Sequence, residues 1–198
     1  MYLGLDLGTS AVKALLADET GAIVGSQSVS LQVIRRHAGW SEQDPQSWWD
    51  ATNRAVQSLG AKYAEEMRQI TGIGLAGQMH GLTALDANDA VLRPAILWND
   101  TRSAPQATEL DTGHAAFRQI GGNAVMPGFT APKAVWMAEN EPELYQRLGT
   151  VLLPKDYLRF QMTGEKISDM SDAAGTLWLD VAERDWSDEL LGICGLDR

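Results

Sequence analysis

The chain has 198 residues, one cysteine and a formal charge of −10 at neutral pH, enough length for one well-buried domain or two small ones. The acidity opposes nucleic acid and anionic lipid as partners, and no apolar run is long enough to span a bilayer. Met1–Asp6 lacks the basic start of a secretory leader and Cys194 has no disulfide partner, so a cytoplasmic location is expected, with Cys194 as a packing residue.

Tyr2–Asp6 predicts a short strand that ends at the turn-forming Gly8-Thr9-Ser10. Ala11–Asp18 predicts a second strand, Glu19-Thr20-Gly21 a turn, and Ala22–Ser30 a third. Three strands joined by tight turns require an antiparallel meander. Asp44-Pro45 starts a helix, with Asp44 as cap, and Trp48, Ala51, Ala55, Leu59 and Tyr63 carry its apolar stripe to about Met67. Ile70–Ala76 reads as a buried strand closed by Gly77. Ala84–Asp86 and Val91–Arg93 flank an Asn88-Asp89 turn, and Ala95–Trp98 leads into a polar cluster. Beyond Ser103 the pattern is mainly helical. Thr130 is expected to cap a helix through Met137, and Pro142 to open another that ends at Gly149. A buried strand follows at Val151–Leu153, then a helix from Lys155 to about Met162.

The order β-β-β-α-β is not the strict alternation of a Rossmann repeat. It predicts an α/β domain of the ribonuclease H-like (actin-like ATPase) type. Such a domain has a mixed sheet that starts with an antiparallel meander and carries helices on both faces.

Asp6-Leu7-Gly8-Thr9-Ser10 sits at the first strand-to-strand turn. Gly8 allows a tight turn and close approach of a ligand to the main chain. The N–H groups and hydroxyls of Thr9 and Ser10 can then converge on an anion. Asp6 offers a carboxylate to a hydrated Mg²⁺ beside the phosphates, and Lys13 adds positive charge if it faces the cleft. The bland alternative is an ordinary hairpin with a solvated aspartate. What favours the phosphate reading is its position at the start of a meander.

Two further segments have the chemistry of sugar contacts. In Gly77-Gln78-Met79-His80-Gly81, Gln78 and His80 offer directional hydrogen bonds and Met79 an apolar surface. In Leu97-Trp98-Asn99-Asp100-Thr101-Arg102, the Trp98 face suits sugar C–H groups and Asp100 can pair with hydroxyls. Each has a structural alternative: His80 as a satisfied loop histidine, Trp98 as core, Asp100 as the partner of Arg102. The other tryptophans are assigned to packing, although Trp40 lies in a polar stretch that can border a cleft.

Together these segments resemble the FGGY family of carbohydrate kinases. The resemblance also runs through Trp40-Ser41-Glu42-Gln43-Asp44-Pro45, Met126–Lys133, Leu153–Leu158 and Ser168–Thr176, in order along nearly the whole chain. Gln78–Gly81 brings it nearest the xylulose-phosphorylating members, because glycerol-phosphorylating members carry an Arg-Glu pair there. The resemblance implies transfer of the ATP γ-phosphate to D-xylulose with Mg²⁺. Gln78, Met79, His80, Trp98 and Asp100 would sit at the sugar, Gly8, Thr9, Ser10 and Lys13 at the nucleotide phosphates, and Asp6 at the metal. It also implies that residues 1–198 are an N-terminal sugar-kinase domain. The catalytic-base aspartate and the C-terminal nucleotide-binding domain would then be absent from this chain, leaving it inactive alone. A sibling kinase for another ketose or polyol, a non-catalytic sugar-binding domain and an actin-like ATPase of the chaperone or filament type remain alternatives. A homodimer is left open.

Overall fold

The computed structural model describes residues 1–198. The meander forms as the alternation requires: β1 is Tyr2–Leu7, β2 Ala11–Ala17 and β3 Ile23–Ser30. Leu3, Leu5 and Leu7 on β1 and Val12, Ala14 and Leu16 on β2 are buried, whereas Tyr2, Asp6 and Lys13 face outward. A period of two thus assigns one face of the sheet to the core.

After the two-residue β4 (Glu42–Gln43), helix α1 runs over Pro45–Lys62. The Asp44 carboxylate accepts from the Gln46 N–H at 3.0 Å, satisfying one of the unpaired donors of the first turn. Trp48, Ala51, Ala55 and Leu59 form the buried stripe, which lies on β2 and β3. The expected single helix to Met67 is broken. Tyr63 leaves the helical region (φ −129°, ψ 47°) and α2 (Ala64–Met67) begins anew. The Tyr63 ring fills the space over Gly25 of β3, where a Cβ would lie 2.3 Å from the ring. A tertiary contact has overridden local helix propensity.

Strand β5 (Gly72–Gly77) joins the sheet parallel to β1, giving the order β3-β2-β1-β5. It is not the buried strand expected from its apolar run, since Ile73 is half exposed. β5 is an edge strand, paired on one side only.

The rest of the chain builds a second layer beside the sheet. In order come β6 (Thr83–Asp86), β7 (Ala95–Ile96), α3 (Ala104–Gly113), α4 (Ala116–Gln119), α5 (Thr130–Asn140) and α6 (Pro142–Tyr145). They are followed by β8 (Leu148–Leu152), α7 (Pro154–Thr163), α8 (Met170–Ala174), β9 (Leu179–Asp180), β10 (Asp185–Trp186) and α9 (Asp188–Ile193). β6 pairs antiparallel with β8, and β4 with β7. The helix predicted from Pro142 to Gly149 therefore stops early, because Leu148–Leu152 is taken up as the partner of β6. Leu82, Phe117, Ala134, Met137, Leu177 and Leu190 anchor the core of this layer. The mixed sheet, its antiparallel start and its packed helices match the ribonuclease H-like expectation. Helix α1 lies on β2 and β3, α7 on β5, and the two touch each other. The face bearing Tyr2, Asp6 and Lys13 stays open.

Candidate functional site

Because β1 and β5 are adjacent and parallel, with Leu7 opposite Gly77, the segments following them leave the same end of the sheet side by side. One is the Gly8-Thr9-Ser10 turn, closed by a 3.0 Å bond from the Gly8 N–H to the Ala11 carbonyl. The other is Gln78–Gly81. Topology alone thus joins the two segments that the sequence marks for phosphate and for sugar.

Thr9 is the junction. Its hydroxyl donates to Gln78 Oε1 at 3.1 Å and accepts from the indole N–H of Trp98 at 3.0 Å. Its carbonyl accepts from Gln43 Nε2 at 2.7 Å. Gln43 Oε1 in turn accepts from Trp48 Nε1 and from Gln78 Nε2, both at 2.9 Å. Two expectations change as a result. Gln78 is buried and both ends of its amide are engaged inside the protein, so it is a strut and not a substrate contact. The Thr9 hydroxyl proton is committed to Gln78, which leaves Ser10, exposed on the turn, as the hydroxyl open to an anion. Asp6 and Lys13 are opposite each other on adjacent strands, hence on one face, and both are exposed. Asp6 makes no ion pair and supplies a single free carboxylate. That fits a hydrated Mg²⁺ held mainly by phosphate and water oxygens.

Of the residues expected at the sugar, Met79 and Trp98 are each more than two-fifths exposed, so their apolar surfaces are open. His80 has a φ of +61°, in the left-handed region that side chains disfavour. Its ring is 4.4 Å from that of Phe129, and its other side lies against Gly175, where a Cβ would come within 2.4 Å of Cδ2. Burial, with the Lys133 charge as the second cause, lowers the His80 pKa to about 4 and keeps the ring neutral. The His80 carbonyl accepts from Thr130 Oγ1 at 3.1 Å and Lys133 Nζ at 2.7 Å. Thr130 is therefore not the cap of its helix. Phe129 holds the cap position, and the Thr130 hydroxyl serves the loop instead.

Asp100 is also not a sugar contact. It is 1 % exposed, and Arg102 grips it through Nε to Oδ1 at 2.9 Å and Nη2 to Oδ2 at 2.7 Å. The Ser41 N–H adds a bond to Oδ2 at 2.6 Å. Arg102 continues to Glu42 at 2.8 Å, and Arg93 joins Glu42 to Glu141. Trp40 stacks on the Arg102 guanidinium at 3.6 Å, which supports its assignment to packing. This buried network ties the loop bearing Trp98 to the segment before α1. A second ionic cluster brings Asp156, Asp169 and Asp172 within 4.8 Å of one another beside β5. Lys155 already occupies its centre, at 2.5, 2.8 and 3.4 Å, so the cluster is an ion-pair knot.

Gln43, Trp48, Thr130 and Lys133 are the residues that sequence reasoning passed over. A lysine amid Ala131, Pro132, Ala134, Val135 and Trp136 was the one legible signal, since an ammonium in an apolar helix needs a reason.

A family model described as the FGGY family of carbohydrate kinases, N-terminal domain, matches residues 1–198. The chain belongs to this family. The FGGY chain is 56 % identical to a xylulose kinase of Escherichia coli K12, over all of its own length and 40 % of that protein's. Its structure matches a xyloylose kinase from Brucella ovis with a TM-score of 0.97 at 61 % identity, covering 98 % of this chain and 40 % of the other. A gluconate kinase from Lactobacillus acidophilus matches at TM-score 0.93 and 28 % identity, over 99 % and 40 %. The FGGY chain thus spans about two-fifths of the length of these relatives. The same architecture occurs in proteins named for different sugars.

Proposed function

We propose that this chain supplies the sugar site and one side of the phosphate site of a kinase. The reaction moves the γ-phosphate of ATP to a hydroxyl of D-xylulose, giving D-xylulose 5-phosphate. The observation that carries this reading is the Trp98–Thr9 hydrogen bond, which fastens the sugar wall directly to the phosphate turn. Phosphoryl transfer depends chiefly on holding the two reactants in line and neutralising charge. Trp98 and Met79 give the sugar an apolar seat, and the neutral His80 ring offers a directional hydrogen bond. The Ser10 hydroxyl and turn N–H groups face the phosphates, and Lys13 adds charge on the same face as Asp6. Asp6 would hold Mg²⁺, which when bound offsets phosphate charge.

Neither carboxylate that the sequence brings to the site is placed to take the proton of the attacking hydroxyl. Asp100 is held by Arg102, and Asp6 lies at the phosphate turn. The 198-residue chain alone is therefore expected to be inactive, with turnover requiring the portion that its longer relatives carry.

The test is coupled ADP release by the product of the full open reading frame, and by this chain, on D-xylulose, D-ribulose, gluconate and glycerol. Preference for D-xylulose by the former and no turnover by the latter are expected. Preference for glycerol or gluconate would overturn the substrate assignment, and turnover by the chain alone would overturn the division of labour.

A further inference from the structure

Lys133 is wholly buried and forms no ion pair, an expensive state for an ammonium group. An apolar side chain of its length would pack at lower cost. What the amine provides instead is a pair of converging donors: Nζ lies 2.7 Å from the His80 carbonyl and 2.7 Å from that of Gly128. The first belongs to the loop that displays Met79 and His80, at a residue held in the strained left-handed conformation. The second belongs to the turn behind Trp98, packed so closely that a Cβ on Gly128 would lie 2.8 Å from the Trp98 carbonyl oxygen. One amine therefore spans the supports of both sugar-site walls, and Thr130, one turn away on the same helix, reinforces it at the His80 carbonyl.

We propose that Lys133, assisted by Thr130, is a positioning residue that clamps the Met79-His80 loop to the turn behind Trp98 and so sets the width of the sugar site. This rests on the sugar-site reading above and adds to it a residue that touches no ligand. Burial lowers the Lys133 pKa to about 7. A neutral amine still carries two hydrogens, one for each carbonyl, so the clamp holds on either side of that value. The rigid point of attachment is α5, whose Ala131, Ala134 and Met137 are fixed in the core. The loop, by contrast, is half exposed and has no regular structure of its own.

The test compares the 198-residue chain with Lys133→Met and Thr130→Val, which remove the donors while keeping most of the volume. Amide hydrogen exchange of the Gln78–Gly81 segment is measured without ligand, with the Asp6–Lys13 hairpin as internal reference. D-xylulose is then titrated by tryptophan emission. Loss of two hydrogen bonds from one buried amine predicts loop exchange roughly tenfold or more faster in Lys133→Met, with the hairpin unchanged, and a D-xylulose Kd raised by about tenfold. Thr130→Val shifts both the same way by a smaller factor, and decides the matter if Lys133→Met does not fold. Unchanged loop exchange would overturn the clamp, as would equal acceleration in loop and hairpin, or a loosened loop with an unaltered Kd. If the wild-type chain shows no response to D-xylulose, that counts against the substrate reading, and the exchange comparison alone judges the clamp.

Discussion

Replacing Gln43 with leucine removes the centre of the network beneath the phosphate turn while keeping the volume of the side chain. Gln43 is fully buried and makes three hydrogen bonds: its amide donates to the Thr9 carbonyl, and its oxygen accepts from Trp48 Nε1 and Gln78 Nε2. In Gln43→Leu the indole N–H of Trp48, itself wholly buried, is left without an acceptor, and so is the Gln78 amide. Each stranded buried group costs about 1–3 kcal/mol, while the partly exposed Thr9 carbonyl recovers a water. The sum is about 2–6 kcal/mol, which for a chain of this size lowers the thermal midpoint by roughly 4–24 °C. Gln46→Leu is the control, on the exposed face of α1 where its amide reaches only Asp50, and it costs no more than about 0.5 kcal/mol. Thermal unfolding followed by circular dichroism compares the three proteins. A Gln43→Leu midpoint equal to that of Gln46→Leu would refute the network as a source of stability.

Arg102→Leu strands the buried Asp100 carboxylate and half of Glu42's pairing, at a cost of about 3–5 kcal/mol read from the urea midpoint. Adding Asp100→Leu should restore part of that loss, because the unpaired charge goes with it. His80 has a folded pKa of about 4, below the 6.5 of the free ring. The unfolded chain therefore takes up the proton first, and the stability contributed by the neutral ring is complete above pH 6.5 and lost as pH falls toward 4. An NMR titration of the ring should show its midpoint near 4, and the midpoint gap between wild type and His80→Asn should narrow over the same window. Burial pushes the Cys194 thiol up to about 11, so an aromatic disulfide reagent at pH 8 should leave the folded chain unmodified and label it fully in urea.

The meander, the capped start of α1 and the phosphate turn were legible because each is written locally, in alternation, in Asp44-Pro45 and in Gly8-Thr9-Ser10. The break at Tyr63 was not, because its cause is the space over Gly25 on another strand. The same distinction governs the site. Sequence marks Gln78 and Asp100 as polar residues in loops, but not whether their hydrogen-bonding capacity is already used. Gln78 is consumed by Thr9 and Gln43, and Asp100 by Arg102 and Ser41. Met79 and Trp98, by contrast, keep open apolar surface, even though the Trp98 indole N–H is spent on Thr9. The exposure of Ile73 was hidden for a related reason: an apolar run shows what a strand is suited to contact, not whether a partner is there.

The open edge of the sheet has a consequence for how the chain behaves in solution. β5 reads Gly-Ile-Gly-Leu-Ala-Gly, with no charge and no proline, and one row of its backbone donors and acceptors faces outward. Such an edge is a template for strand pairing between copies, and the uncovered sheet face beside it adds apolar contact. The opposing influence is the net charge of −10, which drives copies apart. That repulsion is long-ranged and screened by salt, whereas edge pairing is short-ranged and is not. Self-association should therefore rise with ionic strength, and a single lysine at Ile73 would suppress it at the source.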